Sequence, residues 1–330
     1  MVHSFLLKIS ALTSSTLLAS TLLASPGAAN PAPGTVLLEH VSGSRAEVAV
    51  LGAQVISFYT ADNPNVNVLF MADDPSTSDG VTPIQGGLTP VFPYYGTAPS
   101  GYSIPLNGFA RTMKWEVSSV TPATNRDRPT YAFFNLESTD ATMQMWPFKF
   151  KLMYQLELRS SSLEIMFSVI DTHPAAISFH ALIQNYFSVP DIRNDGVTIS
   201  GLKNVNFFDR ISKTNQLETR ESFGILSQID NIYKNVTGDV VAHIRGEHGD
   251  WNVIVAASAE WGDGAHRSNI PPTDRTVWNH GNSGAKDLGD FGDEKYLRTI
   301  AIGSGNVAEL EELYPSLRYD LTQVITVAKA

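Results

Sequence analysis

Cysteine is absent from this chain of 330 residues. That excludes disulfides, thiolate nucleophiles, cysteine-ligated zinc and redox pairs. Disulfides are needed by small secreted domains, and a chain of this length can build its core without them. No run of basic residues is present either, and the net charge is −10, which argues against a nucleic-acid partner. No segment after the N-terminal leader is long and apolar enough to span a membrane. The histidines His243, His248, His266 and His280 form neither an HxH nor an HExxH pattern, so no metal and no cofactor is expected. Sustained helical periodicity is scarce, with Val307 to Leu313 the best short helical candidate. What remains is an ordinary globular composition, 43% hydrophobic, with ample material for a large core.

Charge is also missing from the N-terminus, where Lys8 is the only charged residue before Glu39. Ile9 to Ala24 is Leu, Ala, Ser and Thr, followed by the small residues of Pro26-Gly27-Ala28-Ala29. One basic residue, a short apolar stretch and a small-residue exit read as a signal peptide. Residues 1–29 are therefore expected to be leader and linker, and residues 30–330 a single domain in a secreted or secretory-pathway protein. Asn235-Val236-Thr237 is a glycosylation sequon, usable on that route.

The body of the chain is a succession of short alternating runs. Ala46 to Val50 and Gln54 to Tyr59 flank Gly52-Ala53, as in a tight hairpin. Phe150 to Leu158 and Leu163 to Val169 both have period two and suggest an antiparallel pair. Ile177–Phe187, Val197–Ile199, Val240–Ile244, Val253–Ala257, Tyr296–Ile302 and Leu317–Val327 are further strand-like runs. Many strands with turn signals between them predict an all-β antiparallel sandwich.

Six motifs follow one another in order. They are Gly86-Gly87-Leu88-Thr89-Pro90-Val91-Phe92-Pro93; Asn107-Gly108-Phe109-Ala110-Arg111 with Trp115; the strand Phe179 to Val189; Gln228-Ile229-Asp230-Asn231-Ile232-Tyr233; Trp278-Asn279; and Asp290-Phe291-Gly292-Asp293 followed by Tyr296 and Gly305-Asn306-Val307. Together they resemble the hexose-6-phosphate and aldose 1-epimerases, or mutarotases. The resemblance covers residues 35 to 327 and implies a galactose-mutarotase-like β-sandwich with its site on the concave face of the large sheet.

The departures from that family bear on activity. Mutarotation needs a general acid at the ring oxygen and a general base at the anomeric hydroxyl, both titrating near neutrality. By the resemblance, the acid histidine's place is Gln184, and an amide exchanges no proton near pH 7. The base glutamate's place is Gly303. The histidine that opens the second motif is Asn107, and the arginine before Gly-Gly is Gln85. Arg111 and Asp230 are retained. His180 lies four residues from Gln184 on the same strand face, about 13 Å along it, too far to stand in for the missing acid.

Gln184, Arg111, Asn107 and Asp230 are accordingly expected to converge as the reactive groups. Gln85, Tyr94, Tyr95, Trp146, Phe187, Trp278, His280 and Gly303 are expected to line the cleft, though each aromatic side chain has core packing as its alternative. Trp251 and Trp261 have the same two readings, sugar platform or core. Three functions fit these residues. One is a repurposed enzyme that closes or isomerises a small apolar or aromatic natural product by orientation and neutral hydrogen bonds; secreted fungal proteins of this size, associated with hetero-Diels–Alder steps joining a quinone methide to a terpene, are similar to this chain. The others are a noncatalytic carbohydrate-binding protein, and an extracellular mutarotase with Asp230 and His280 as substitutes. The sequence leaves the substrate and the oligomeric state open.

Overall fold

Twenty β-strands form among the described residues of the computed structural model, which are 34–72, 85–246, 249–263, 267–269, 272–282 and 294–330. The expected leader, His248, His266 and Asp290–Asp293 lie outside them. In chain order the first ten strands are β1 (Thr35–Glu39), β2 (Arg45–Ala49), β3 (Gln54–Tyr59), β4 (Leu88–Val91), β5 (Glu116–Thr121), β6 (Thr130–Glu137), β7 (Phe150–Leu158), β8 (Ser162–Asp171), β9 (Ile177–Ser188) and β10 (Val197–Ser200). The rest are β11 (Asn206–Asp209), β12 (Thr214–Leu217), β13 (Ser222–Gly224), β14 (Ile229–Tyr233), β15 (Val240–Ile244), β16 (Trp251–Gly262), β17 (Arg267–Asn269), β18 (Asp274–Asn279), β19 (Thr299–Leu313) and β20 (Arg318–Lys329).

These strands make two antiparallel sheets. The first runs β1-β2-β3-β4-β9-β19-β18-β14-β11-β12, and the second runs β13-β10-β15-β16-β20-β8-β7-β6-β5 with β17 beside β16. The fold is thus the all-β sandwich that the alternating runs predict. The alternation decides which residues fill the space between the sheets. Phe150, Leu152, Tyr154, Leu156 and Leu158 on β7 face inward, as do Leu163, Ile165, Phe167 and Val169 on β8. On β9 the inward set includes Phe179, Ile183 and Phe187, with the Phe179 ring 5.6 Å from that of Tyr319 on β20, across the sandwich.

A reciprocal amide pair joins the two sheets within this core, as does the Tyr319 hydroxyl, which donates to Asn306 Oδ1 at 2.7 Å. Asn185 Nδ2 donates to Gln323 Oε1 and Gln323 Nε2 to Asn185 Oδ1, each at 2.9 Å. Asn185 Nδ2 also donates to the Ile302 carbonyl at 2.6 Å. Both side chains are fully buried, so each amide depends on the other for partners.

Two expectations for chain segments are corrected. Val307 to Leu313 is not a helix but the far half of β19, which runs across a bulge between Asn306 and Glu311 to pair Leu313 with Ile177. The bulge is held by Asp274, whose Oδ2 accepts the Val307 and Ala308 N–H groups at 2.9 and 2.7 Å, so tertiary contacts override the local spacing. The run from Tyr296 begins as a 3-10 turn over Lys295–Arg298, and the strand starts at Thr299. An α-helix, α1 (Asp140–Met145), has no apolar period to announce it. Its signal is the capping box of Thr139 and Thr142.

The hairpin of β2 and β3 turns through Gly52 and Ala53, both with positive φ. That turn abuts the segment after the second motif. Gly52 N–H donates to Met113 O at 2.8 Å, and a Cβ at Gly52 would stand 2.6 Å from Arg111 O. The hairpin therefore braces the 3-10 turn Ala110–Thr112 that carries Arg111.

Replacing Gln323 alone by Leu should destabilise the protein by about 1–3 kcal/mol, because it strands the buried Asn185 amide. The double variant Asn185→Leu/Gln323→Leu should recover part of that loss. Equilibrium denaturation of the two variants checks both statements.

Candidate active site

Four central strands of the first sheet bring the candidate residues into rows. Thr89 on β4 pairs with Gln184 on β9, Gln184 with Gly303 on β19, and Gly303 with Thr276 on β18. Paired residues share a face, so this row looks outward, away from the core. The places of the family's acid and base, Gln184 and Gly303, are therefore direct neighbours. Gly303 N–H donates to Thr276 Oγ1 at 3.1 Å, and Thr276 Oγ1–H donates to Gln184 Oε1, also at 3.1 Å. A Cβ built at Gly303 would lie 2.4 Å from Thr276 Oγ1 and 2.7 Å from Gln184 Oε1. The room a glutamate would need is filled.

Two residues along, on the same face, the next row holds Tyr186, Ala301, Trp278 and Asp230. The Tyr186 and Trp278 rings meet nearly at right angles, 6.0 Å apart. Arg111 reaches this row, since its charge acts on the Tyr186 hydroxyl and opposes the rise that burial gives that hydroxyl's pKa. Burial lowers the Arg111 pKa, and no hydrogen bond or ion pair holds its guanidinium among the described residues. Asp230 is paired, with Arg210 Nη1 3.3 Å from Oδ1. Burial nevertheless raises the Asp230 pKa, against the lowering effect of Arg210.

Arg210 also lies over the Tyr95 ring, 4.9 Å from its centroid. Tyr95 in turn packs on Val91, Leu182, Ile232 and Val307, a buried apolar cluster on the cleft face of the sheet and separate from the main core. The cleft thus has a donor-rich end around Arg111 and Gln184 and an apolar end under Tyr95.

The remaining candidates are placed as follows. Asn107, at φ 62, accepts the Gly96 N–H through Oδ1 at 2.8 Å and donates its own N–H to Gly96 O at 3.0 Å. Its carbonyl oxygen is committed to closing the loop that carries Tyr95. Gln85 is half-buried and stands two residues before Gly87, whose carbonyl accepts the Tyr186 N–H. His280 is almost fully buried, with Nδ1–H donating to Gly281 O at 3.0 Å and its ring against Trp278 and Tyr296. Burial lowers its pKa and favours the neutral ring. Asn235 is exposed in the turn after β14. Trp251 is half-buried and packs against the core cluster.

Three cleft assignments are corrected. Trp146 and Phe187 are completely buried, and Tyr94 nearly so, all within the main core. Trp146 sits among Phe92, Phe109 and Phe150. Phe187 is one residue off the cleft parity of Tyr186, and Tyr94 packs against Tyr102 and His180. His180 Nδ1 accepts the Tyr95 N–H at 3.2 Å, and burial lowers its pKa to about 4, so it stands neutral. Sequence reasoning missed Thr276, Tyr186 and Arg210. Tyr186 was signalled by its place two residues after Gln184. Thr276 and Arg210 come from other strands and turns and carry no local signal. Among the described residues no group of three His, Cys, Asp or Glu side chains could hold a metal ion.

Two antiparallel sheets of ten strands each, with a polar row across the centre of the first, define a galactose-mutarotase-like sandwich. The solved structure of a candidate mutarotase from Salmonella typhimurium superposes with a TM-score of 0.72 at 22% identity, covering 90% of each chain. A galactose-mutarotase-related enzyme from Lactobacillus acidophilus gives 0.65 at 15% identity, over 89% of this chain and 97% of that one. The aldose 1-epimerase family profile matches residues 34–261, and the chain belongs to that family. Among curated relatives, a candidate glucose-6-phosphate 1-epimerase of S. typhimurium is 23% identical over 86% of this chain and 87% of its own length. A protein of the same description from Cenchrus ciliaris is also 23% identical, over 85% and 80%.

Gly303→Ala should destabilise the fold by about 1–3 kcal/mol, the usual cost of overpacking. The same change in a Thr276→Ala/Gln184→Ala background should cost clearly less, because the two closest atoms are gone. Thermal unfolding of wild type and the three variants measures the difference. Arg210→Ala should raise the Asp230 pKa further, since the opposing cation is removed; a carboxyl NMR titration reads this directly.

Proposed function

We propose that this protein is an epimerase-fold enzyme that catalyses a cyclisation or isomerisation of a small, apolar, carbonyl-bearing natural product, of the hetero-Diels–Alder type. The observation that carries the reading is the central row. The resemblance puts a histidine and a glutamate at Gln184 and Gly303, and the row holds Thr89, Gln184, Gly303 and Thr276, none of which titrates near neutrality. A hetero-Diels–Alder closure has no use for an acid–base pair. It forms one C–C and one C–O bond at the expense of π bonds, with no leaving group and no net redox change. Holding the two reacting parts in attack geometry can supply about 7–11 kcal/mol. Donors aimed at the carbonyl oxygen stabilise the charge that gathers there, and Gln184 and Arg111 are the groups placed to do this. The apolar cluster under Tyr95 suits the body of such a substrate.

A second reading, mutarotation with Asp230 as base, is favoured by the raised Asp230 pKa. Among the described residues it lacks an acid, since His280 is buried against Gly281 and His180 is held as an acceptor. A noncatalytic carbohydrate-binding role would use the half-buried Trp278 as its platform.

The discriminating experiment sets a glucose and glucose-6-phosphate mutarotation assay beside a cyclisation assay with o-quinone methide and alkene partners. The unmodified protein should leave both sugars at their spontaneous rate and accelerate the cyclisation. Gln184→Ala or Arg111→Ala should slow cyclisation by about 10–10³-fold, the scale of one preorganised donor. Gln184→His with Gly303→Glu should not improve it. Brisk sugar epimerisation by the unmodified protein would overturn the reading. The same proposal includes secretion, with the leader removed between Ala24 and Asn30 and glycan on the exposed Asn235. Mass spectrometry of protein from its native host should find neither Met1 nor an unmodified Asn235; an intact Met1 counts against secretion.

A further inference from the structure

We propose that Thr276 is the positioning residue of the cleft, fixing the Gln184 amide so that its nitrogen faces the ligand, and that the site therefore recognises a hydrogen-bond acceptor at Gln184. The ligand half of this inference rests on the cyclisation reading above.

Gly303 N–H can only donate, and it occupies the Thr276 oxygen at 3.1 Å. The hydroxyl proton of Thr276 goes to Gln184 Oε1, 3.1 Å away. An amide nitrogen could meet Thr276 only by donating to the second lone pair of the hydroxyl, and the structure places the carbonyl oxygen there instead. The Nε2 donors of Gln184 are turned the other way. They have no partner among the described residues, although the side chain is only 7% exposed. The amide nitrogen opens onto the cleft rather than into the core, and its two unused donors stand ready for an acceptor from a ligand.

The neighbours reinforce that polarity. Arg111, beside Tyr186 on the next row, is a second donor without a hydrogen bond among the described residues. The one carboxylate of that row, Asp230, is engaged by Arg210. A carbonyl oxygen therefore meets donors at Gln184 and Arg111, and a hydroxyl can bind Gln184 only by accepting through its oxygen with its own proton turned elsewhere. If Gln184 were free to turn over, ligand groups that donate would be accepted as well; the Thr276 hydroxyl removes that freedom.

The test has two arms on the full chain. In the first, glutamine-selective 15N labelling follows the Gln184 side-chain N–H pair, assigned by its loss in Gln184→Ala. Wild type and Thr276→Ser should give one resolved pair. Thr276→Val should shift or broaden it, and an unchanged pair in Thr276→Val overturns the positioning role whatever the ligand. In the second, 1,4-naphthoquinone and naphthalene are titrated against tryptophan fluorescence. Wild type and Thr276→Ser should prefer the quinone, and Thr276→Val should lose about 2–10-fold of that preference, the worth of one neutral hydrogen bond. In a Gln184→Ala background Thr276→Val should cause no further loss of preference, because the threonine acts through the amide. A further loss there points to a merely structural role and overturns the proposal. Equal binding of the two probes by wild type overturns acceptor recognition. Binding of glucose with neither probe overturns the cyclisation reading, while the labelled amide still decides for or against Thr276.

Discussion

The register between β9 and β19 is the constraint on which the cleft depends. Side chains alternate along each strand, so a slip of one residue would send Gln184 into the core and Asn185 out of it. The present register is held from the inside. Asn185 is bonded to Ile302 on the neighbouring strand and to Gln323 on the opposite sheet, and it can reach both only when Gln184 stands opposite Gly303. A core amide pair that never meets a ligand thus decides which groups the ligand meets.

The cleft built on that register differs in character from the chain as a whole. The protein carries a net charge of −10, yet Asp230, the carboxylate of the Trp278 row, is spoken for by Arg210, while the Arg111 guanidinium and the Gln184 Nε2 donors have no hydrogen-bond partner among the described residues. Arg210 links the two ends of the cleft, holding Asp230 on one side and lying over Tyr95 on the other. A molecule with a polar head and an apolar body finds a counterpart for each part.

Much of this was legible in the sequence. The period-two runs predicted the strands, and the hairpin at Gly52-Ala53 and the pairing of β7 with β8 followed from spacing alone. The order of the motifs pointed to the family and to Gln184, Gly303 and Arg111. What escaped was whatever depends on a partner far along the chain. Trp146, Phe187 and Tyr94 looked like cleft aromatics because a sequence does not say which face of a strand will be covered. Thr276 had no mark at all, since its meaning comes from Gly303 beside it in the sheet and 27 residues away in sequence. Val307 to Leu313 had helix-like spacing that the Asp274 carboxylate and the pairing with Ile177 overrode.

The missing side chain at position 303 also imposes an order on evolutionary change. Thr276 and Gln184 fill the space above the glycine, so a side chain at that position is crowded while both stay as they are. A change at 303 has to begin at the neighbours, and each such first step gives up a hydrogen bond. The three positions are epistatic: what looks like one small residue is a lock set by two others.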